Sequence, residues 1–259
     1  MSETVDPGYA NDEPTLSEQG GIRYLHFDSE WVQGAMRTAR PSELVLAYTR
    51  QMMAWLLFIQ PGKKDTLGIL GLGAGSLTRH CMRHTVSDLV TVEWNPAVTA
   101  LCRQFFRLPV SERSLIEHTD AGVWVNDPVN QGRVRALMVD LYDADAQGPV
   151  RSSLKFYKGC HNVLADDGIM TVNLFGNHSS FQPNIDRISK IFSGRVLELP
   201  EIDAGNRVIL AFKGALPPIT TADLLDRAQA LESRFGLPEA TRWARQLLAQ
   251  LHGGPPGVA

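Results

Sequence analysis

A glycine-rich turn and four carboxylates carry the chemistry that can be read from this chain. Gly71-Leu72-Gly73-Ala74-Gly75-Ser76 follows the apolar run Leu67–Leu70. Glycines at 71, 73 and 75 let the main chain turn tightly and approach a ligand without Cβ collisions. A helix starting at Ser76 would point its free N–H groups at that ligand. Glu93 ends the next apolar run, 22 residues after Gly71, where a carboxylate can accept both hydroxyls of a ribose. Asp120 follows the third apolar run in Thr119-Asp120-Ala121. It can accept from the exocyclic amino group of a base, or cap the helix that follows. Asp140 and Asp143 follow the fourth run, in Val139-Asp140-Leu141-Tyr142-Asp143. Such a pair attracts a cation, and one member can take a proton as a neutral amine becomes a nucleophile.

The glycine spacing discriminates between ligands. A dinucleotide fingerprint, G-x-G-x-x-G or A, needs its third small residue at position 76. Ser76 stands there and the third glycine is Gly75. G-x-G-x-G is the form common in enzymes that bind the nucleoside S-adenosylmethionine (AdoMet), whose ligand has no pyrophosphate.

These residues need a sheet to hold them. Leu67–Leu72, Leu89–Glu93, Leu115–His118, Ala136–Leu141 and Ile169–Phe175 read as buried strands. Helices are expected at Ser76–His84, Pro96–Phe106, Gly122–Asn126 and Ser153–Leu164, so the strands form parallel βαβ units with right-handed crossovers. Arg195–Ile202 and Arg207–Lys213 flank the turn-prone Asp203-Ala204-Gly205-Asn206 and read as an antiparallel pair. The expected fold is therefore α/β, a doubly wound and mainly parallel sheet of AdoMet-methyltransferase type. Its additions are the antiparallel terminal pair, a short N-terminal β-hairpin and a C-terminal helical hairpin. In residue ranges, 1–20 reads as a disordered acidic tail and 21–40 as the hairpin. Residues 41–214 read as a Rossmann-like nucleoside-binding catalytic domain, and 215–259 as the helical hairpin with a loose tail. Within the third range, Pro41-Ser42-Glu43 is expected to open one long helix that ends before Pro61-Gly62. Asn173 to His178 reads either as acceptor-pocket lining or as a solvated loop.

Composition narrows the partners. The 259 residues are 44% apolar, with 25 basic and 28 acidic side chains and a net charge of −3. No basic excess exists to hold a phosphate backbone, so nucleic acid is not an expected partner. The longest apolar run, Met52 to Ile59, is far short of the roughly 20 residues that cross a bilayer, so no membrane partner is expected. Cys81, Cys102 and Cys160 form no CxxC, which points to reduced thiols and a cytoplasmic protein. His80 and His84 have helical metal-ligand spacing without a third ligand, so no metal is expected.

With these residues in order, the chain resembles the spermidine synthase family of polyamine aminopropyltransferases over roughly residues 22–213. The match runs through Trp31-Val32-Gln33, Ala47-Tyr48-Thr49, the glycine loop, Glu93, Asp120-Ala121, and Asp140 with Asp143. The resemblance implies a metal-free transfer of an aminopropyl group from decarboxylated AdoMet to an amine such as putrescine. It implies that Gln33, Glu93 and Asp120 hold the nucleoside donor, with Gly71, Gly73, Ala74, Gly75 and Ala121 beside it. It also implies that Asp140 accepts the proton of the attacking amine, Tyr48 orients that amine and Asp143 helps bind it. A homodimer is an assembly it allows.

The sequence departs from the family pattern at several positions. Ala74 stands where the family has an Asp that meets the donor's amino group and repels the carboxylate of AdoMet itself. Arg50 stands where the family has an acidic residue, Ala144 follows Asp143, and Asp203-Ala204-Gly205-Asn206 replaces a Tyr-Pro-Ser-Gly segment. An AdoMet-dependent methyltransferase is therefore the alternative reading. A non-catalytic nucleoside-binding module is a second alternative.

Overall fold

The computed structural model describes residues 13–27, 32–142, 151–202 and 205–253. Two sheets organise them. The first is antiparallel, in the order β1 (Pro14–Gln19), β2 (Ile22–Phe27), β3 (Gly34–Arg37). Residues 14–19 thus correct the expectation of a tail over 1–20. Gly20 and Gly21 both take left-handed φ, 59° and 73°, the conformation of a two-residue hairpin turn. That turn puts Pro14 opposite Phe27 and Gln19 opposite Ile22. Five of the six β1 side chains face water, so the segment has a tail's composition while its backbone is held by the ladder. Residues 1–12 lie outside the described residues.

The second sheet has seven strands, in the order β6-β5-β4-β7-β8-β10-β9. These are β4 (Thr66–Leu70), β5 (Asp88–Glu93), β6 (Ser114–His118), β7 (Val134–Val139), β8 (Leu164–Phe175), β9 (Val196–Glu198) and β10 (Asn206–Phe212). The β4/β5, β5/β6, β4/β7 and β7/β8 pairs are parallel, while β10 is antiparallel to both β8 and β9. The chain winds outward from β4 through β5 to β6, then crosses back to β7. The switch point lies between β4 and β7, and ligands of open α/β sheets sit outside the strand ends there.

Strand alternation divides the core. Ala136 and Met138 join one cluster with Leu67 and Ile69, while Leu137 and Val139 join the other with Leu70. The first face is covered by α2 (Ser76–His84), the tight 3-10 segment Met52–Leu57, α7 (Thr221–Phe235) and α8 (Ala240–Leu251). The second face is covered by α4 (Ala121–Asn126), α5 (Leu154–Val163) and α6 (Phe181–Ile191). A third cluster joins the small sheet to α3 (Pro96–Phe105) through Leu25, Met36, Ala74, Val98, Cys102 and Phe106. It seats the small sheet on the glycine loop.

One helical expectation is corrected and one helix is added. The helix expected from Pro41-Ser42-Glu43 starts only at Ala47, as α1 (Ala47–Gln51), and tightens to 3-10 from Met52. Carbonyls before Ala47 are taken by side chains elsewhere: Arg79 Nε donates to Pro41 at 2.7 Å, and His80 Nδ1 lies 3.1 Å from the Ser42 oxygen. Met52 through Ile59 are all buried, so packing from every side, not a one-sided stripe, sets the local winding. Sequence analysis gives no element to the segment where α6 lies, which carries Pro183 in its first turn. Proline is tolerated within a helix's first turn, and Ser180 stands at the N-cap position.

Candidate active site

The glycine loop is pinned from three sides. Gly71 N–H donates to the Val92 oxygen at 2.9 Å, and its φ is +92°. A Cβ on Gly71 would run into the carbonyl oxygen of Asp140, so only glycine lets the end of β7 lie against the loop. From the small sheet, Gly34 packs so closely that a Cβ there would stand 2.6 Å from that of Ala74. Ser76 Oγ donates to the Ala35 oxygen at 2.9 Å. From below, the buried Arg79 guanidinium donates to the carbonyls of Ala74, Phe106 and Pro41. Burial lowers its pKa to about 10, so it stays charged at neutral pH. Gly75, left-handed at φ 72°, is the N-cap of α2.

Glu93 ends β5 beside this loop. Its Oε2 accepts from Leu72 N–H at 3.0 Å and its Oε1 from Asn95 N–H at 2.8 Å. Desolvation raises its pKa and these backbone donors pull it back. Trp94 N–H is a third backbone donor, so three main-chain groups hold this carboxylate at the end of β5.

Asp140 lies at the carboxyl end of β7, its own N–H bonded to the Leu70 oxygen at 2.9 Å. The Tyr48 hydroxyl of α1 hydrogen-bonds its carboxylate. From β8, Asn173 Nδ2 donates to Asp140 Oδ1 at 3.0 Å. Burial pushes the Asp140 carboxyl above its ordinary value, and both hydrogen bonds oppose that shift. Burial and the neighbouring Asp140 charge push the Tyr48 phenol up, so it remains a donor. Gln33, Tyr48, Gly71, Gly73, Ala74 and Asp140 line one cleft. The geometry offers a polarised, desolvated carboxylate at the mouth of a loop built for close approach.

Asp120 is arranged differently. Asp120 Oδ1 accepts from Val123 N–H at 3.0 Å, capping α4, and Oδ2 accepts from Arg151 Nη2 at 2.7 Å. Asp120 and Ala121 lie apart from the cleft lining, at the start of α4, with Ala121 buried. Asp143 lies outside the described residues. Arg50 turns away from the cleft: its guanidinium meets Glu239 of α8 at 2.7–3.1 Å and the Leu44 and Val45 oxygens at 3.2 and 3.0 Å. The His80 and His84 rings lie 4.4 Å apart, tilted by 38°, and His84 stacks on Phe235. Burial lowers the His80 pKa to about 4. Among the described residues, no group of three or more His, Cys, Asp or Glu side chains could hold a metal.

Sequence reasoning missed roles for Asn206, Tyr142 and Arg79; of its two readings for the segment from Asn173, the solvated loop is corrected at Asn173, which is buried on β8. Asn173 had a signal: an amide inside the apolar run Ile169–Phe175 must find partners when buried, and it is 2% exposed. Asn206, on β10, reaches it only through the antiparallel pairing, which no local pattern announces.

The Spermine/spermidine synthase domain family matches residues 45–196. A polyamine aminopropyltransferase of Neisseria meningitidis serogroup A is 35% identical over 224 residues, covering 86% of this chain and 84% of that relative. A probable spermidine synthase of Corynebacterium glutamicum, 18% identical, matches with a TM-score of 0.70 over 83% of each chain. Human methyltransferase-like protein 13 in complex with SAH, 19% identical, matches with a TM-score of 0.65 over 74% of this chain and 93% of its own. Likeness at that identity is one of fold, which transferases of both kinds share. The matched segment runs through Tyr48, the glycine loop, Glu93, Asp140 and Asn173, and the chain belongs to the spermine/spermidine synthase family.

Proposed function

We propose that this chain transfers an aminopropyl group from decarboxylated AdoMet to the neutral amine of a small diamine such as putrescine. The observation that carries the reading is Asp140, a desolvated carboxylate with raised pKa held between Tyr48 and Asn173 at the lip of the glycine loop. An alkyl amine has a pKa near ~10 and is mostly protonated at neutral pH, so a nearby carboxylate that takes its proton is needed. The amine lone pair attacks the carbon bound to the sulfonium. The C–N bond forms, the C–S bond breaks with its electron pair going to sulfur, and methylthioadenosine leaves. Asp140 takes the ammonium proton before the attack, and the product nitrogen keeps its two protons and the positive charge that leaves the sulfur. Tyr48 orients the amine, Gln33 and Glu93 hold the nucleoside, and Asp143 assists on the acceptor side. Asp120 supports the base end through the helix it caps. We also place the protein in the cytoplasm, with its three free cysteines buried and reduced.

One observation favours a second reading. Ala74 lines the cleft and brings no carboxylate. The carboxylate of AdoMet meets no repulsion from that side chain, so AdoMet-dependent methyl transfer is the alternative. The test is calorimetry with AdoMet and with its decarboxylated analogue, followed by mass analysis of products formed with putrescine. The expected result is tighter binding of the decarboxylated donor, with release of methylthioadenosine and an amine heavier by one aminopropyl group. Release of S-adenosylhomocysteine would replace the reading with methyl transfer, and binding of neither donor would leave a non-catalytic module.

A further inference from the structure

Tyr142, Asn206 and Asn173 form a directional chain of hydrogen bonds that ends on Asp140. The Tyr142 hydroxyl donates to the Asn173 backbone oxygen at 3.1 Å. Its own oxygen then faces the side chain of Asn206, with which it is hydrogen-bonded. Since the phenolic proton is committed, that bond needs an N–H from Asn206. Asn206 Nδ2 also donates to Asn173 Oδ1 at 3.0 Å. With its oxygen occupied, Asn173 has only its amino group to offer Asp140, and Nδ2 lies 3.0 Å from Asp140 Oδ1. The polarity of each link fixes the next. An amide that could otherwise flip is locked with its donor toward the carboxylate.

We infer that Asn206 and Tyr142, neither of which touches Asp140 through a side-chain hydrogen bond, are positioning residues that set which end of the Asn173 amide faces the proton acceptor. This rests on the reading of Asp140 given above. The wrong flip would put the Asn173 oxygen against a carboxylate, and two acceptors facing each other in a desolvated site repel. The device is neutral, so it orients Asp140 without a counter-ion that would weaken it as a base. The titratable side chains facing Asp140 among the described residues are Tyr48 from α1 and Tyr142 beyond β7, and both stay protonated in the working range because burial raises them.

The experiment uses the full chain and two substitutions that add no charge, Asn206→Ala and Tyr142→Phe. Carboxyl ¹³C NMR titration follows Asp140, with its signal assigned by its loss in Asp140→Asn. Both variants are expected to raise the Asp140 midpoint, because the Asn173 amide is no longer held donor-first. The acid limb of kcat/KM for aminopropyl transfer should move up in pH by the same amount, with the larger movement in Asn206→Ala. A folded variant whose Asp140 midpoint equals that of the wild type overturns the inference, whatever its melting temperature. If Asn206→Ala does not fold, Tyr142→Phe decides alone, since it removes one hydroxyl. A raised midpoint in a protein that transfers no aminopropyl group would leave the relay standing and remove the functional reading. An unmoved midpoint in an active enzyme would do the reverse.

Discussion

As the proposed proton acceptor, Asp140 would set activity against stability. Its pKa in the folded chain is raised by burial, so the folded state binds the proton more tightly than the unfolded state does. The associated stability is fully present below the ordinary carboxylate value near ~4 and is lost as pH rises through the folded value. At neutral pH the ionised group is therefore a net cost. Asp140→Asn keeps an oxygen that can accept from Asn173 and from Tyr48 and removes the buried charge. The expected outcome is a higher Tm at pH 7.5, on the order of 2–4 °C for each kcal/mol recovered in a domain of this size. The difference should shrink when the melts are repeated near pH 4. Transfer activity should fall by about 10²–10⁴-fold, as loss of a general base does. A neutral-pH melt lower than that of the wild type would mean the carboxylate is stabilised there rather than strained. The acid at 140 and the glycine at 71 were legible in the sequence because each follows an apolar run at a strand end. Their mutual dependence was not: that Gly71 is glycine because the Asp140 carbonyl lies against it is a tertiary fact.

Among the elements, the helix bearing Tyr48 is short, at five residues, and too short to hold itself. Arg50, two residues on, supplies the missing support by tying the Leu44 and Val45 carbonyls to Glu239 at the head of α8. Position 50 departs from the family pattern, and an arginine there would repel a cationic acceptor if it faced the cleft. The structure removes that objection by burying the charge in a bidentate pair outside the cleft. Partly buried and geometrically matched, the pair is worth more than an exposed one of ~0–1 kcal/mol. Glu239→Ala should leave Arg50 with carbonyls only and loosen α1. The kcat for amine transfer should drop several-fold with little change in donor affinity, since Glu93 and the loop are untouched. The reversed pair, Arg50→Glu with Glu239→Arg, should recover part of that loss, and a double-mutant cycle measures how much. Donor affinity falling in step with kcat would instead assign the pair a role in overall folding. Strand and helix order over the βαβ region was readable from periodicity. Helix α6 and the shortened α1 were not, since Pro183 and side chains reaching in from other elements outweigh local propensity there.

For the molecule as a whole, the C-terminal helices are part of the catalytic body rather than an appendage. The family match ends at residue 196, yet Leu224, Ala228, Leu231, Trp243, Ala244 and Leu247 belong to the same buried cluster as Met52–Ile59, Ile69 and Met138. The helix α8 also closes the sheet's outer edge: the Gln250 amide accepts from Glu198 N–H at 2.9 Å and donates to the Glu198 oxygen at 2.7 Å. It occupies the positions a further strand would use, which shields an edge open to pairing with another chain. A body built this way should unfold in one step. Trp243, 2% exposed, sits in that cluster far from the glycine loop in sequence, and Trp243→Ala should cost about 3–5 kcal/mol by leaving a cavity. Urea unfolding of the variant, followed by far-UV circular dichroism and by the remaining tryptophans, should give coincident curves shifted together to lower denaturant. If the helices were an independent unit, the substitution would split the transition, and donor binding would survive the first phase. Coincident curves with donor binding lost along them would show that the helices, the Tyr48 segment and the nucleotide loop are held by one continuous apolar layer.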